Sequence, residues 1–166
     1  MPEHLILPRR TLLVLCGPAG SGKSTFVAGR FPETAIVSSD RCRGMICDDE
    51  NSQEVNRDAF DLFYYILRKR MLLGHFCVAD SVALTPSARG NLREISRHYS
   101  YLGCVLLFET SPELCIQRDK QRTRCVGESV IRYHAGQMIQ ALQDLPHEGW
   151  ERIVSASSGL EIMIDG

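Results

Sequence analysis

Apolar residues along this chain gather in short unbroken runs, and between the runs the pattern switches to helical spacing. Thr11-Leu12-Leu13-Val14-Leu15-Cys16 is a continuous apolar run of strand length. Such a run suits a strand buried on both faces of a parallel sheet. The same reading predicts strands over 35–39, 76–79, 101–108 and 152–155. Helices are predicted over 23–30, closed near Pro32, and over 54–73, stopped by Gly74. A further helix, over 86–99, is opened by Pro86. Ser111-Pro112-Glu113 starts another, with serine as N-cap and proline in the first turn. The last helix runs over 129–143. Strands alternating with helices predict an α/β fold, a parallel sheet of about five strands with helices on both faces. No repeat, low-complexity tract or linker divides residues 1–166, so a single domain is expected. Its last predicted strand lies close to the chain's end, as in a module cut from a longer protein.

Between the first strand and the first helix, residues 17 to 24 read Gly-Pro-Ala-Gly-Ser-Gly-Lys-Ser, a complete G-x-x-x-x-G-K-[ST] phosphate loop. Gly17, Gly20 and Gly22 let the backbone turn tightly and aim successive N–H groups inward, Ser21 and Thr25 included in the cradle. Lys23 adds a mobile charge for the β- and γ-phosphates, and the Ser24 hydroxyl is the expected Mg²⁺ ligand. A glycine-rich turn would explain the glycines but not Lys23 and Ser24 in register.

Composition narrows the partners. Net charge is −1, so no global field draws the protein to nucleic acid or membrane, and any polyanion contact must be local. Seven Cys without a C-x-x-C pair argue against a disulfide framework and a zinc knuckle. Cys16, Cys77 and Cys104 sit in strand-like runs, as small core residues do. A reducing cytoplasm fits, and nothing resembles a signal peptide or a membrane span.

Asp40 and Asp80 each follow a predicted strand. In open α/β sheets the carboxyl ends of strands face the ligand crevice, at the edge that holds the phosphate loop. Two carboxylates there supply one general base and one holder of a metal or its water. The plainer alternative is that each caps the next turn. Arg118 and Arg122, four apart in a basic stretch from Arg118 to Arg124, share a helix face. Two guanidinium groups there suit a closing lid that clamps a triphosphate; a solvated helix face is the alternative.

Ser38-Ser39-Asp40-Arg41-Cys42-Arg43 followed by Asp48-Asp49-Glu50-Asn51-Ser52-Gln53 resembles the kinase domain of bacterial polynucleotide kinase-phosphatases, which repair RNA ends. The resemblance extends through residues 64–70, Ala88-Arg89, the 118–123 stretch, Gly127 to Arg132 and Gly136-Gln137-Met138. It implies an adenylate-kinase-like P-loop fold with an arginine-bearing lid. It also implies transfer of the γ-phosphate of ATP or another nucleoside triphosphate, with Mg²⁺ or Mn²⁺, to the 5′-OH of RNA or DNA. By the same resemblance Asp40 is the general base, and Arg43 grips the phosphate 3′ to the terminal nucleoside. Gln53 and Val130 flank the terminal base, Arg89 joins the substrate side, and Arg118 and Arg122 form the clamp. Asp80 would hold the metal through water. The family's company is fused phosphatase and ligase-like modules; an oligomer is left open. Where the family's third strand continues Asp-Ala-Thr-Asn, this chain has Asp80-Ser81-Val82-Ala83, so asparagine is replaced by alanine.

Two other readings stay open at this point. A small-molecule P-loop kinase would keep Lys23, Asp40 and the lid but have no use for Arg43, Gln53 and Val130. A nucleotide-binding module whose catalysis has decayed would account for Ala83. The aromatic group Phe60, Phe63, Tyr64 and Tyr65 reads as core rather than as a base-stacking surface.

Overall fold

A computed structural model describes residues 3–166. Its centre is β2 (Thr11–Cys16), whose six residues are all buried. On one side β2 pairs with β4 (Cys77–Asp80), which pairs in turn with the short edge strand β3 (Ile36–Ser38). On the other it pairs with β5 (Leu102–Leu107), and β6 (Arg152–Ser155) closes that edge. All four pairings are parallel, giving a five-stranded sheet in the order β3-β4-β2-β5-β6. This is the sheet the apolar runs predict. Parallel order leaves every strand's carboxyl end on one edge, where loops begin at residues 17 and 81 and a helix begins at residue 39.

Alternation along β2 divides the core. Leu12, Val14 and Cys16 pack with Ala59, Phe63, Leu67 and Met71 of α3 (Asn56–Leu72), with Leu92 and Ile95 of α4 (Pro86–His98), and with Met138 and Ala141 of α6 (Glu128–Asp144). The α3 contacts recur every four residues, the helical spacing that buries one stripe. Leu13 and Leu15 point the other way, to Val27 of α1 (Lys23–Ala28) and to Phe31.

That second face differs from expectation. Besides α1 it is covered by a ribbon of two parallel strands, β1 (Glu3–Pro8) and β7 (Leu160–Asp165), with Leu5, Leu7 and Leu160 buried beneath it. Neither strand is among those predicted. The strand expected over 35–39 stops at Ser38, because Ser38 caps a helix: its Oγ accepts the Arg41 N–H at 3.2 Å. This helix, α2 (Ser39–Cys47), puts Asp40 in a first helical turn rather than at a strand end. Among the described residues no helix is long and apolar enough to cross a membrane.

Candidate active site

The phosphate loop, α2, the start of α3 and the segment from α5 (Pro112–Lys120) to α6 enclose a cleft of about 1540 Å³. Gly20, Ser21, Gly22, Lys23, Ser24, Thr25, Asp40, Arg43, Gln53, Asp80, Arg118, Arg122 and Val130 all line it. Gly17 lies behind the loop, where a Cβ would come within 2.8 Å of Phe108.

The loop's shape follows from two left-handed glycines. Gly20 has φ 78 and lies so near α5 that a Cβ would meet the Cys115 carbonyl oxygen at 2.6 Å. Gly22 has φ 97, and a Cβ there would stand 3.3 Å from a guanidinium nitrogen of Arg118. Only glycine satisfies both the conformation and the approach. The loop is tied down from three sides. The Gly17 N–H donates to the Val82 carbonyl at 3.2 Å, Thr110 Oγ1 donates to the Ser21 carbonyl at 2.9 Å, and the Ala19 N–H donates to Nδ1 of His134 at 3.2 Å.

Lys23 Nζ donates to the Gly17 and Pro18 carbonyls, each at 2.7 Å. Burial brings its ammonium down to about 8, against the pull of Asp80, Cys16 and Asp40, so it stays mainly charged at neutral pH. Ser24 Oγ donates to Asp80 Oδ2 at 2.9 Å. Burial pushes the Asp80 carboxyl up, and the Ser24 hydroxyl and Lys23 pull it back. A hydroxyl beside a carboxylate at the loop's end is an oxygen donor set that fits Mg²⁺ or Mn²⁺ shared with phosphate oxygens and water.

On the opposite wall, α2 carries Asp40 and Arg43 three residues apart. Arg43 Nη2 donates to Asp40 Oδ1 at 2.6 Å, Nη1 to Asn56 Oδ1 at 3.2 Å, and Nε to the Glu50 carbonyl at 3.0 Å. Asn56 Nδ2 donates in turn to Gln53 Oε1 at 2.6 Å. One network thus fixes the plane of the guanidinium and joins three of the residues singled out in the sequence. Asn56, which bridges Arg43 and Gln53, carries no sequence signal; its part depends on α3 starting where it does.

The basic stretch reaches the cleft by another route than expected. The helix ends at Lys120, so Arg118 and Arg122 do not share a helical face. The chain turns instead: Asp119 is buried and accepts the Val126 and Gly127 N–H groups, each at 3.0 Å. That carboxylate folds residues 120–127 back, so that Arg122 lines the same cleft that Arg118 lines from α5. Arg124 reaches across to Glu50 at 3.9 Å.

Arg89 is the correction. Its side chain is fully buried and does not line the cleft. Nε and Nη2 each donate to the Glu148 carboxylate at 2.9 Å, and Nη1 donates to the Ala83 carbonyl at 3.2 Å. Its place is behind the 81–84 loop, not against a substrate. Ala83 has φ 50, and its carbonyl also accepts the Cys16 thiol at 3.4 Å. The turn is thus held without the asparagine found in the family that the chain resembles. Of the aromatic group, Phe63 is core, and Phe60 lines the cleft.

Comparison with known proteins agrees with this fold. Residues 12–145 match AAA_33, an AAA domain family. No curated protein matches the sequence. Among solved structures, the Pnkp1/Rnl/Hen1 RNA repair complex contains a chain similar with a TM-score of 0.71 and 20% identity, over 84% of this chain and 47% of that one. This chain therefore spans about half that neighbour's length. A gluconokinase from Sinorhizobium meliloti 1021 gives 0.55 and 18%, over 89% of this chain and 82% of that one. The Mycobacterium tuberculosis APS kinase CysC in complex with AMPPNP and APS gives 0.52 and 16%, over 82% and 99%. At these identities the likeness is one of fold, a P-loop kinase-like domain.

Proposed function

Starting from the AAA_33 family of AAA domains, to which this chain belongs, we propose that it is a 5′-OH polynucleotide kinase. It moves the γ-phosphate of ATP or another nucleoside triphosphate to a 5′-OH end of RNA or DNA. The observation that carries this reading is the Asp40–Arg43–Asn56–Gln53 network facing the phosphate loop across one cleft. A simple acceptor alcohol needs the carboxylate alone. A guanidinium oriented by three acceptors, one residue-turn from that carboxylate, suits an acceptor that carries a phosphate beside its hydroxyl.

In this reading Asp40 orients the 5′-OH and takes its proton as the new O–P bond forms. Arg43 holds the neighbouring phosphate, and Gln53 and Val130 flank the terminal base. Lys23, Arg118 and Arg122 neutralise charge on the transferring group. Ser24, with Asp80 through water, would hold Mg²⁺ or Mn²⁺, which would supply positive charge against that of the triphosphate. The work fits end repair in a reducing cytoplasm, in the company of phosphatase and ligase-like modules, without a membrane.

The test is label transfer from γ-labelled ATP to a 5′-OH oligonucleotide, with gluconate and adenosine phosphosulfate as rival acceptors. Transfer to the oligonucleotide alone is expected. Transfer to either small molecule in preference would replace the reading with a small-molecule kinase. Triphosphate binding without transfer to any acceptor would replace it with a decayed module.

Arg43→Ala is expected to reduce kcat/KM for the oligonucleotide by a factor equivalent to about 2–3 kcal/mol, the scale of a charge-assisted contact. Triphosphate affinity, measured by calorimetry, should barely move. Arg43→Lys should recover only part, because a point charge cannot serve Asp40, Asn56 and a phosphate as a fork does. An equal loss of triphosphate binding would put Arg43 on the donor side.

A further inference from the structure

Among the described residues, His134 is the one imidazole that lines the cleft. It stands half-buried on α6, and its Nδ1 accepts the Ala19 N–H of the phosphate loop at 3.2 Å. The contact joins residues 115 positions apart. It links the two halves of the candidate machinery, since α6 continues from the segment bearing Arg118 and Arg122. That segment is itself pinned to the start of α6 by the Asp119 carboxylate. Cys115, Ile116 and Ile131 pack against Ala19 in a small separate core, so the loop, α5 and α6 meet at this one point.

We infer that His134 is a positioning residue for phosphoryl transfer. Its neutral imidazole, with the proton on Nε2, holds the phosphate loop at a set distance from the arginine segment, and protonation releases it. The inference rests on the phosphotransferase reading above but not on the identity of the acceptor. The chemistry has one direction. A neutral Nδ1 accepts from an amide; a protonated one is a donor facing a donor. Burial, and then the charge of Lys23, hold the imidazole below its usual range, so the accepting form prevails at neutral pH. The other groups around it leave that state alone. From α5, Arg118 lies over Gly22, Asp119 is taken by two amides, and Cys115 is a buried thiol pushed up by burial. Arg122 lines the cleft as a further cation, and on α6 itself Glu128 and Arg132 pair with each other at 3.0 Å. Each cation near the ring opposes its protonation.

The test uses AMPPNP binding with Mg²⁺, by calorimetry, together with kcat and KM for transfer to a 5′-OH oligonucleotide. At about pH 8, His134→Ala should weaken AMPPNP binding by about 5- to 10-fold, the scale of one lost hydrogen bond. His134→Asn puts an acceptor oxygen near the Nδ1 position and should restore binding to within about 2-fold. His134→Gln, whose oxygen falls near Nε2 instead, should behave as His134→Ala. As pH falls from about 8 to below the usual imidazole range, the wild type should lose affinity relative to His134→Asn, a ratio in which the titration of Lys23 and of the nucleotide, common to both, cancels. His134→Asn as weak as His134→Ala, or with the wild-type pH profile, would overturn the inference, as would unchanged binding in His134→Ala. Should His134→Ala fail to fold, the Asn and Gln pair decides by itself. If no phosphate reaches the oligonucleotide, the polynucleotide reading falls, and the AMPPNP series still judges His134.

Discussion

Asp40→Asn is expected to lower single-turnover transfer to a 5′-OH oligonucleotide by about 10²-fold or more, the scale of general-base catalysis. An alcohol is a poor nucleophile while its proton is held. A carboxylate within hydrogen-bond reach orients the hydroxyl and takes the proton as transfer proceeds. The structure makes the substitution a clean one. Asp40 Oδ1 accepts from Arg43 Nη2 at 2.6 Å, and an asparagine oxygen can keep that bond. The side chain is about half exposed, at 53%, so the amide buries no new unpaired group. α2 is capped by Ser38, not by Asp40, so the helix persists. What is lost is the ability to accept a proton. Binding of Mg²⁺–triphosphate should persist, because Lys23, Ser24, Asp80 and the loop amides supply it from the other wall of the cleft. Phosphoryl transfer is loose, so part of the Asp40 effect lies in positioning. Asp40→Asn retains some of that, which sets the expected loss at the general-base scale rather than beyond it. Transfer at nearly the wild-type rate would remove the general base from the assignment, and with it the central residue of the polynucleotide-kinase reading.

How far the sequence reveals this arrangement depends on whether each feature is local. The phosphate loop is fully legible, since strand, glycines, Lys23 and Ser24 are contiguous and each has one physical use. The five strands of the main sheet are legible for a related reason. Both faces of β2, β4 and β5 are buried, so apolar runs mark them without help from partners, while the mostly exposed edge strand β6 shows only through Ile153-Val154. The β1–β7 ribbon escapes because it is made by pairing Leu5 with Ile162 and Leu7 with Ile164, across nearly the whole chain. Each segment offers an apolar run of only three residues, Leu5-Ile6-Leu7 and Ile162-Met163-Ile164, and one side of the ribbon faces solvent. The helix holding Asp40 escapes because its cap, Ser38, also continues a strand pattern, and only the Arg41 amide shows which use prevails.

Charged residues show the sharpest limit. Arg43, Arg89, Arg118 and Arg122 look equivalent in sequence. Three line the cleft and one is sealed in the core, because burial is decided by what faces a residue across space. Arg118 and Arg122 line one cleft without sharing a helical face, because the buried Asp119 between them turns the chain after α5.

Arg89→Ala follows from that difference, and its effect should fall on stability. The guanidinium has no exposed surface, and it holds Glu148 by two nitrogens, with Asp144 Oδ2 at 3.8 Å beyond. Trp150 Nε1 donates to Glu148 Oε1 at 3.0 Å, and Arg93 donates to its backbone carbonyl. Burial raises the Glu148 carboxyl, but hydrogen bonds from Arg89 and Trp150 and the charges of Arg89 and Arg93 outweigh it, so the net shift is downward. A carboxyl held low in the folded state contributes stability above its unfolded range and loses it as pH falls through the folded value. Removing one member of a buried pair leaves the other uncompensated, which costs about 3–5 kcal/mol. For a chain of this length that is a fall in Tm of about 6–20 °C. Replacing both partners by apolar residues, Arg89→Met with Glu148→Leu, should recover most of the loss, because desolvation of the pair offsets much of its attraction. The double variant still lacks the donor to the Ala83 carbonyl, and Val82, next to it, receives the phosphate loop's Gly17 amide. Recovered Tm with weakened triphosphate binding would therefore be the mark of Arg89 as the support behind the loop. If Arg89→Ala instead leaves Tm unchanged and reduces only oligonucleotide binding, Arg89 returns to the substrate side and the buried pair loses its structural part.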